Sequence, residues 1–276
     1  MKHINEVDHP VITLYSKQQI TDVKCFCGTG RTFLGVDKTY NFGDFHVTPT
    51  VFKDLSVKRK NSGEHPITFG PTFIHTNSSA RTYCSFFYDI ADNLSEEEEI
   101  RNIVIGSDEE IAFTVAIRRS FPGATHTLCI RHLRQNTDRY LEDEVGYRKP
   151  DRSVILKAIY KEDGITFARD VDTFNYRLER LREKINRLDK YAREKKFLPY
   201  FEDRLLPLLR TRVIAATDTG KMVRRWTNNN CESANHILKA RTEWQKQDIP
   251  KFIDEMYGIV EGEQLERCRS IRGMEG

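Results

Sequence analysis

Apolar residues gather first in short runs bounded by turn formers, and later at helical spacing. An apolar stretch from Thr32 to Lys38 predicts a strand, and Asn41-Phe42-Gly43-Asp44 supplies the turn formers of a hairpin. Phe45 to Leu55 reads as a second strand, Asn61-Ser62-Gly63 turns the chain, and Pro66 to His75 reads as a third. Asn77-Ser78-Ser79 then offers N-cap oxygens ahead of Tyr83, Phe86, Phe87, Ile90 and Leu94, which share one helical face. The acidic run Glu96 to Glu99 is a solvated helix end or loop. Asn102 to Ser107 is a short strand ending at Asp108, and a helix follows to about Ser120, where Pro122-Gly123 stops it. Ala124 to Cys129 is a fifth strand, with a helix beginning near Arg131.

The order β-β-β-α-β-α-β-α predicts an α/β (mixed α+β) domain, with a mixed five-stranded sheet flanked by helices. From residue 150 the pattern changes. Phe174, Leu178, Leu181, Ile185 and Leu188 repeat at three and four residues in a highly charged helix, and Pro199 and Pro207 bracket shorter pieces. The chain therefore divides into an extension over 1–30 without clear periodicity, the first part of a core over 31–149, and an all-helical insertion over 150–226. A final core helix over 227–246 and a helical tail over 247–276 complete it. The extension reads as the tail of a region upstream.

With 38% hydrophobic and 31% charged residues the composition is that of a globular protein. Charge is uneven: Arg177 to Lys246 carries 18 Lys and Arg against 9 Asp and Glu, while the rest carries 26 against 32. Such a basic segment suits a polyanion, although a solvated helical surface has the same composition. Six cysteines in 276 residues do not form a disulfide framework. No leader and no membrane-length apolar run is present, so an intracellular, reducing compartment is expected and no membrane partner. Val57-Lys58-Arg59-Lys60 is only a short basic run.

Three acidic words stand out: Gly35-Val36-Asp37-Lys38-Thr39-Tyr40, Gly106-Ser107-Asp108-Glu109-Glu110, and Thr227-Asn228-Asn229-Asn230-Cys231-Glu232-Ser233-Ala234-Asn235. Asp37 falls near the centre of an apolar strand, where an unpaired carboxylate is costly. Asp108 lies just past a strand's C-terminal end, where α/β sheets place ligands. Glu232 opens a helix expected to run to about Trp244, with a nearby Asn as its cap. An acid at a strand end is more often a cap than a ligand. Three brought together would nonetheless supply the hard oxygens that Mg²⁺ prefers.

These words and their surroundings resemble the Mutator-like element (MULE) transposase family, whose core is a ribonuclease H-like DDE domain. Gly35 to Leu55 resembles the family's first-Asp block. Ile105 to Glu109, with Phe121-Pro122-Gly123-Ala124 and Cys129-Ile130-Arg131-His132, resembles the second, including its Cys-x-x-His element. Thr227 to Asn235 resembles the block carrying the final Glu. Separations of 71 residues from Asp37 to Asp108 and 124 from Asp108 to Glu232 leave room for the helical insertion. Lys38 departs from the small residue common among relatives.

The resemblance, over about residues 31–246, implies a catalytic triad of Asp37, Asp108 and Glu232 holding two Mg²⁺ or Mn²⁺ ions. It implies DNA strand cleavage and strand transfer, with transposon ends and target DNA as partners, a homodimer by family analogy, and a nuclear location. Arg177, Arg180, Arg182, Arg224 and Arg225 are candidate phosphate contacts. The upstream zinc-binding recognition domain and downstream Cys/His-rich motif of relatives are not seen, which suggests a core without its targeting parts. The alternative is a domesticated, DNA-binding or regulatory derivative that does not cut. A third reading is a ribonuclease H-like nuclease acting on RNA or hybrids.

Other constellations are weaker. Cys129 and His132 would be half a zinc site needing two more ligands, with Cys231 and His236 available; a structural role is favoured over zinc. Cys25-x-Cys27 is spaced too closely for a usual zinc pair. Trp226 and Trp244 flank the third word, as core or seam residues, or as rings for stacking on unpaired bases.

Overall fold

The computed structural model describes residues 10–40, 42–94, 97–192, 195–214 and 226–273. It divides into two units, Met1–His126 with Asn228–Gly276, and Thr127–Thr227.

The first unit is built on a six-stranded mixed sheet, one strand more than the sequence pattern predicts. The strands are β1 (Val11–Leu14), β2 (Phe33–Val36), β3 (His46–Lys53), β4 (Ile67–His75), β5 (Val104–Ser107) and β6 (Thr125–Leu128), in the order β1-β4-β3-β2-β5-β6. The extra strand, β1, lies in the segment that lacks periodicity. It pairs antiparallel with β4, from Val11 opposite His75 to Leu14 opposite Thr72. Four residues are too few for alternation to register, so only pairing reveals them. From β2 onward the sheet is the expected ribonuclease H-like one: an antiparallel β2–β3–β4 meander with β5 parallel to β2.

Alternation along β2 decides what covers each face. Leu34 and Val36 join Phe52, Phe73 and Ile105 in a core closed by α2 (Ala80–Asn93) and α4 (Ile111–Ser120). The predicted face of α2 is the buried one: Tyr83, Phe86, Phe87 and Ile90 are 0% exposed. Ser79 caps α2 through a bond from the Thr82 amide, as the Asn-Ser-Ser run predicts. Gly35, on the other face of β2, receives the helix α10 described below. Between α2 and β5, α3 (Glu97–Asn102) takes up most of the acidic run.

In the second unit, α5 (Ile130–Asp143), α6 (Lys149–Tyr160) and α7 (Val171–Leu188) surround their own core. Leu178, Leu181 and Ile185 of α7 are buried, as their spacing predicts. Short helices α8 (Phe197–Tyr200) and α9 (Leu206–Leu209) continue the bundle. Buried Asp189 ties it together, accepting the amides of Phe197 and Leu198 at 2.8 and 3.0 Å and the hydroxyl of Tyr147. Trp226 is buried in this unit.

Two helices return to the first unit: α10 (Asn229–Arg241) and α11 (Ile249–Ile271). α11 docks through Phe252 against Phe42 and Phe45, and through Arg267, which pairs with Asp22 at 2.6 Å and Asp54 at 3.2 Å. Glu263 of α11 accepts the Phe69 amide of β4 at 3.2 Å. Burial first, then the nearby Glu266 and Asp54 carboxylates, raise the Glu263 pKa to about 8 despite that bond. A carboxyl with a raised folded value binds protons more tightly when folded, so stability falls as pH rises from about 4.5 to about 8. Glu263→Gln keeps the acceptor and removes the titration. Melting temperatures across that range should lose part of their downward slope in the variant, and an unchanged slope would contradict this origin.

Candidate functional site

The site grows from the parallel pairing of β2 and β5. Phe33, Leu34 and Gly35 stand opposite Val104, Ile105 and Gly106. Two residues beyond the Gly35–Gly106 pair, Asp37 follows β2 and Asp108 follows β5, each just past the C-terminal end of one of two neighbouring strands. The sequence pattern puts Asp37 near the middle of its strand; the strand in fact stops at Val36. A half-buried carboxylate at a strand end needs less compensation than one inside the sheet. Gly35 and Gly106, paired on parallel strands, project to the same face of the sheet.

α10 lies on that face. A Cβ placed on Gly35 would meet Cys231 Sγ at 2.8 Å, so the glycine lets the helix approach closely. One turn further on, Asn235 Nδ2 donates to Asp37 Oδ2 at 2.9 Å. Glu232 lies between these two anchors, beside Cys231 and three residues before Asn235, half-buried in the first turn. Asn228 occupies the N-cap, as expected of an asparagine there, but its side chain makes no capping bond. α10 ends at Arg241, three residues short of the expected Trp244.

Asp108 accepts the Glu110 amide at 3.1 Å, a turn that leads into α4. Beneath it Ser107 Oγ lies 2.8 Å from both the Asp108 carbonyl and His126 Nε2. Lys38 bridges the two loops. Its Nζ is 3.1 Å from Glu110, 3.2 Å from Ser78 and 5.1 Å from the Tyr40 ring centre. Burial would lower the Lys38 pKa, but Tyr40, Tyr83 and Glu110 together hold it above the ordinary lysine value. Burial lowers His75 to about 4 and raises Tyr83 to about 12, so this flank is neutral apart from the ion pair. The Lys38–Glu110 and Asn235–Asp37 contacts escape sequence reasoning, because each joins residues 72 or more apart.

Among the described residues, no three His, Cys, Asp or Glu side chains form a group able to hold a metal ion. Asp37 and Asp108 are each engaged locally, with Asn235 and with the Glu110 amide. The donor set is still one of hard oxygens. The Asn235 Oδ1 atom, beside Asp37, is buried and makes no hydrogen bond, an acceptor that suits a hard cation.

The zinc alternative finds no support in α10. Cys231 turns inward onto Gly35, whereas His236, five residues on, is exposed and meets the Trp244 ring edge-on at 5.6 Å. Cys129 and His132 stand at the start of α5 in the helical unit, Cys129 buried as its N-cap. Cys25 is exposed while Cys27 is buried in the same helical turn, so the two do not face one ligand; burial pushes the Cys27 thiol pKa well up.

The candidate phosphate contacts are largely occupied. Arg182 forks onto Glu202 at 2.7 and 2.9 Å and reaches Glu179 at 2.6 Å; those bonds raise its pKa and lower that of Glu202. Arg177 donates to the Glu162 and Gly164 carbonyls, and Arg180 to the Tyr176 hydroxyl at 2.8 Å. Arg224 and Arg225 lie outside the described residues.

A ribonuclease H-like sheet with acidic residues at adjoining strand ends defines the class of domain. The family described as MULE transposase domain matches residues 33–136, the segment that runs from β2 into α5, and supports the resemblance to MULE transposases. No curated protein matches the chain.

Proposed function

We propose that the face shared by β2, β5 and α10 is the active centre of a transposase that cleaves DNA strands and joins them to target DNA. The observation that supports this reading is the parallel pairing of β2 with β5, whose C-terminal ends lead into Asp37 and Asp108, together with the Asn235–Asp37 bond from the helix that bears Glu232. Asp37, Asp108 and Glu232 would hold Mg²⁺ or Mn²⁺, which supplies activation of a water or DNA 3′-hydroxyl and stabilisation of the leaving oxygen. The chain's own residues position the centre. Asn235 fixes one Asp37 oxygen, Asp108 is set by its turn to Glu110, and the Lys38–Glu110 pair links the two loops while cancelling a positive charge beside the acids. The partner is DNA, in keeping with the MULE domain. Two transposon ends must be joined in one event, so a homodimer acting in the nucleus completes the reading.

Incubation of the chain with supercoiled plasmid tests it. Mg²⁺ or Mn²⁺ should convert plasmid to the nicked form, and EDTA should prevent this. DNA binding without any metal-dependent nicking would overturn the cutting function and leave the non-cutting, domesticated derivative. Preference for RNA–DNA hybrids over duplex DNA would make the chain a ribonuclease instead.

A further inference from the structure

From the end of α10 we infer a binding site for an unpaired nucleobase, formed by Trp244 with Lys239. The inference rests on the reading of the chain as a DNA-acting protein. Trp244 is 63% exposed, although an indole is ordinarily buried for most of its surface. It is not on a loose loop. Thr242 and Gln247, on either side of it, are buried, and Gln247 Nε2 reaches the carbonyls of Thr242 and Gln245, both at 3.3 Å. The Trp244 amide returns to the Lys239 carbonyl at 2.8 Å, and the Glu243 amide to that of Ala240 at 3.0 Å.

Glu243 and Trp244 both adopt left-handed backbone, with φ of 53° and 60°. Neighbouring non-glycine residues in this region are uncommon, and the anchored turn holds them there. The outcome is an indole fixed in place and turned outward.

Two lysines and an imidazole surround it, beside the exposed carboxylate of Glu243. Lys239 Nζ lies 5.9 Å from the Trp244 ring centre, and His236 meets the ring edge-on. Lys246 is exposed two residues beyond. Aromatic stacking beside positive charge is how single-stranded nucleic acid is held; an apolar peptide would not need the charge. Glu232, His236 and Lys239 follow one another at four and three residues, so they form one stripe of α10. Lys239 stands two turns, about 10 Å, beyond Glu232. A strand reaching the carboxylates could follow this stripe and place an unpaired base on Trp244.

The chain's two tryptophans allow a direct test, since Trp226 is buried. Intrinsic fluorescence and the anisotropy of labelled DNA would be followed with three probes: a paired duplex, the same duplex with unpaired internal bases, and single strand. The probes with unpaired bases should quench emission and bind more tightly than the duplex. Trp244→Phe should abolish the quench with little loss of affinity, and Trp244→Ala should weaken binding to the unpaired probes by roughly tenfold while sparing the duplex. Binding without a quench, or equal affinity for all probes in Trp244→Ala, would overturn the site while leaving the transposase reading intact. If no DNA binds at all, both fail. Trp244-dependent self-association in sedimentation would identify the indole as a protein contact and also overturn the site.

Discussion

Asp108→Asn is expected to reduce metal-dependent nicking by roughly a thousandfold, about 4 kcal/mol of barrier, while leaving the fold intact. The two halves of that statement have separate causes. Asn keeps a carbonyl oxygen where Asp108 accepts the Glu110 amide at 3.1 Å, so the turn into α4 survives. What is lost is a negative charge and a hard anionic ligand at the strand end. Asp37→Asn should behave alike, since its amide oxygen still accepts from Asn235 Nδ2. Plasmid nicking gives the first readout and thermal unfolding the second. Retention of wild-type nicking in both variants would remove the aspartates from the chemistry; loss of the folded state would make the activity result uninformative about charge, and Asp108→Glu would then take its place.

Gly35→Ala should destabilise the first unit by about 1–3 kcal/mol and depress nicking at the same time. The added methyl would lie 2.8 Å from Cys231 Sγ and 3.2 Å from Val51 Cγ2. The sulfur belongs to a short, buried side chain and the valine to β3, so neither yields without moving its element. The element free to shift is α10, which carries Glu232 and Asn235. Removing the opposing sulfur with Cys231→Ala in the same chain should recover part of both losses, a non-additivity expected only of residues in contact. Additive effects in the double variant, measured by unfolding midpoint and nicking rate, would show that α10 is not seated on Gly35.

Much of the fold is legible in the sequence. Ser79 caps α2 and the Tyr83, Phe86, Phe87, Ile90 face is buried, because capping and helical spacing are local properties. The meander β2–β3–β4 and the α7 stripe follow for the same reason. β1 escaped because four residues paired to a distant edge carry no periodic signal. For Trp244 the sequence left two readings, a core or seam residue or a ring for stacking. Apolarity argues for burial, yet an anchored left-handed turn keeps the ring outside.

By itself the sequence determined the class of sheet and the resemblance to MULE transposases, whose family match includes the first two acidic words. Each of those is written in neighbouring residues or in motif spacing. Tertiary structure alone decided the arrangement at the site: β2 paired in parallel with β5, Cys231 seated on Gly35, Asn235 bonded to Asp37, and Lys38 joined to Glu110. These relations depend on strand register and helix seating, which follow from packing the whole unit and leave no trace in any short stretch of chain.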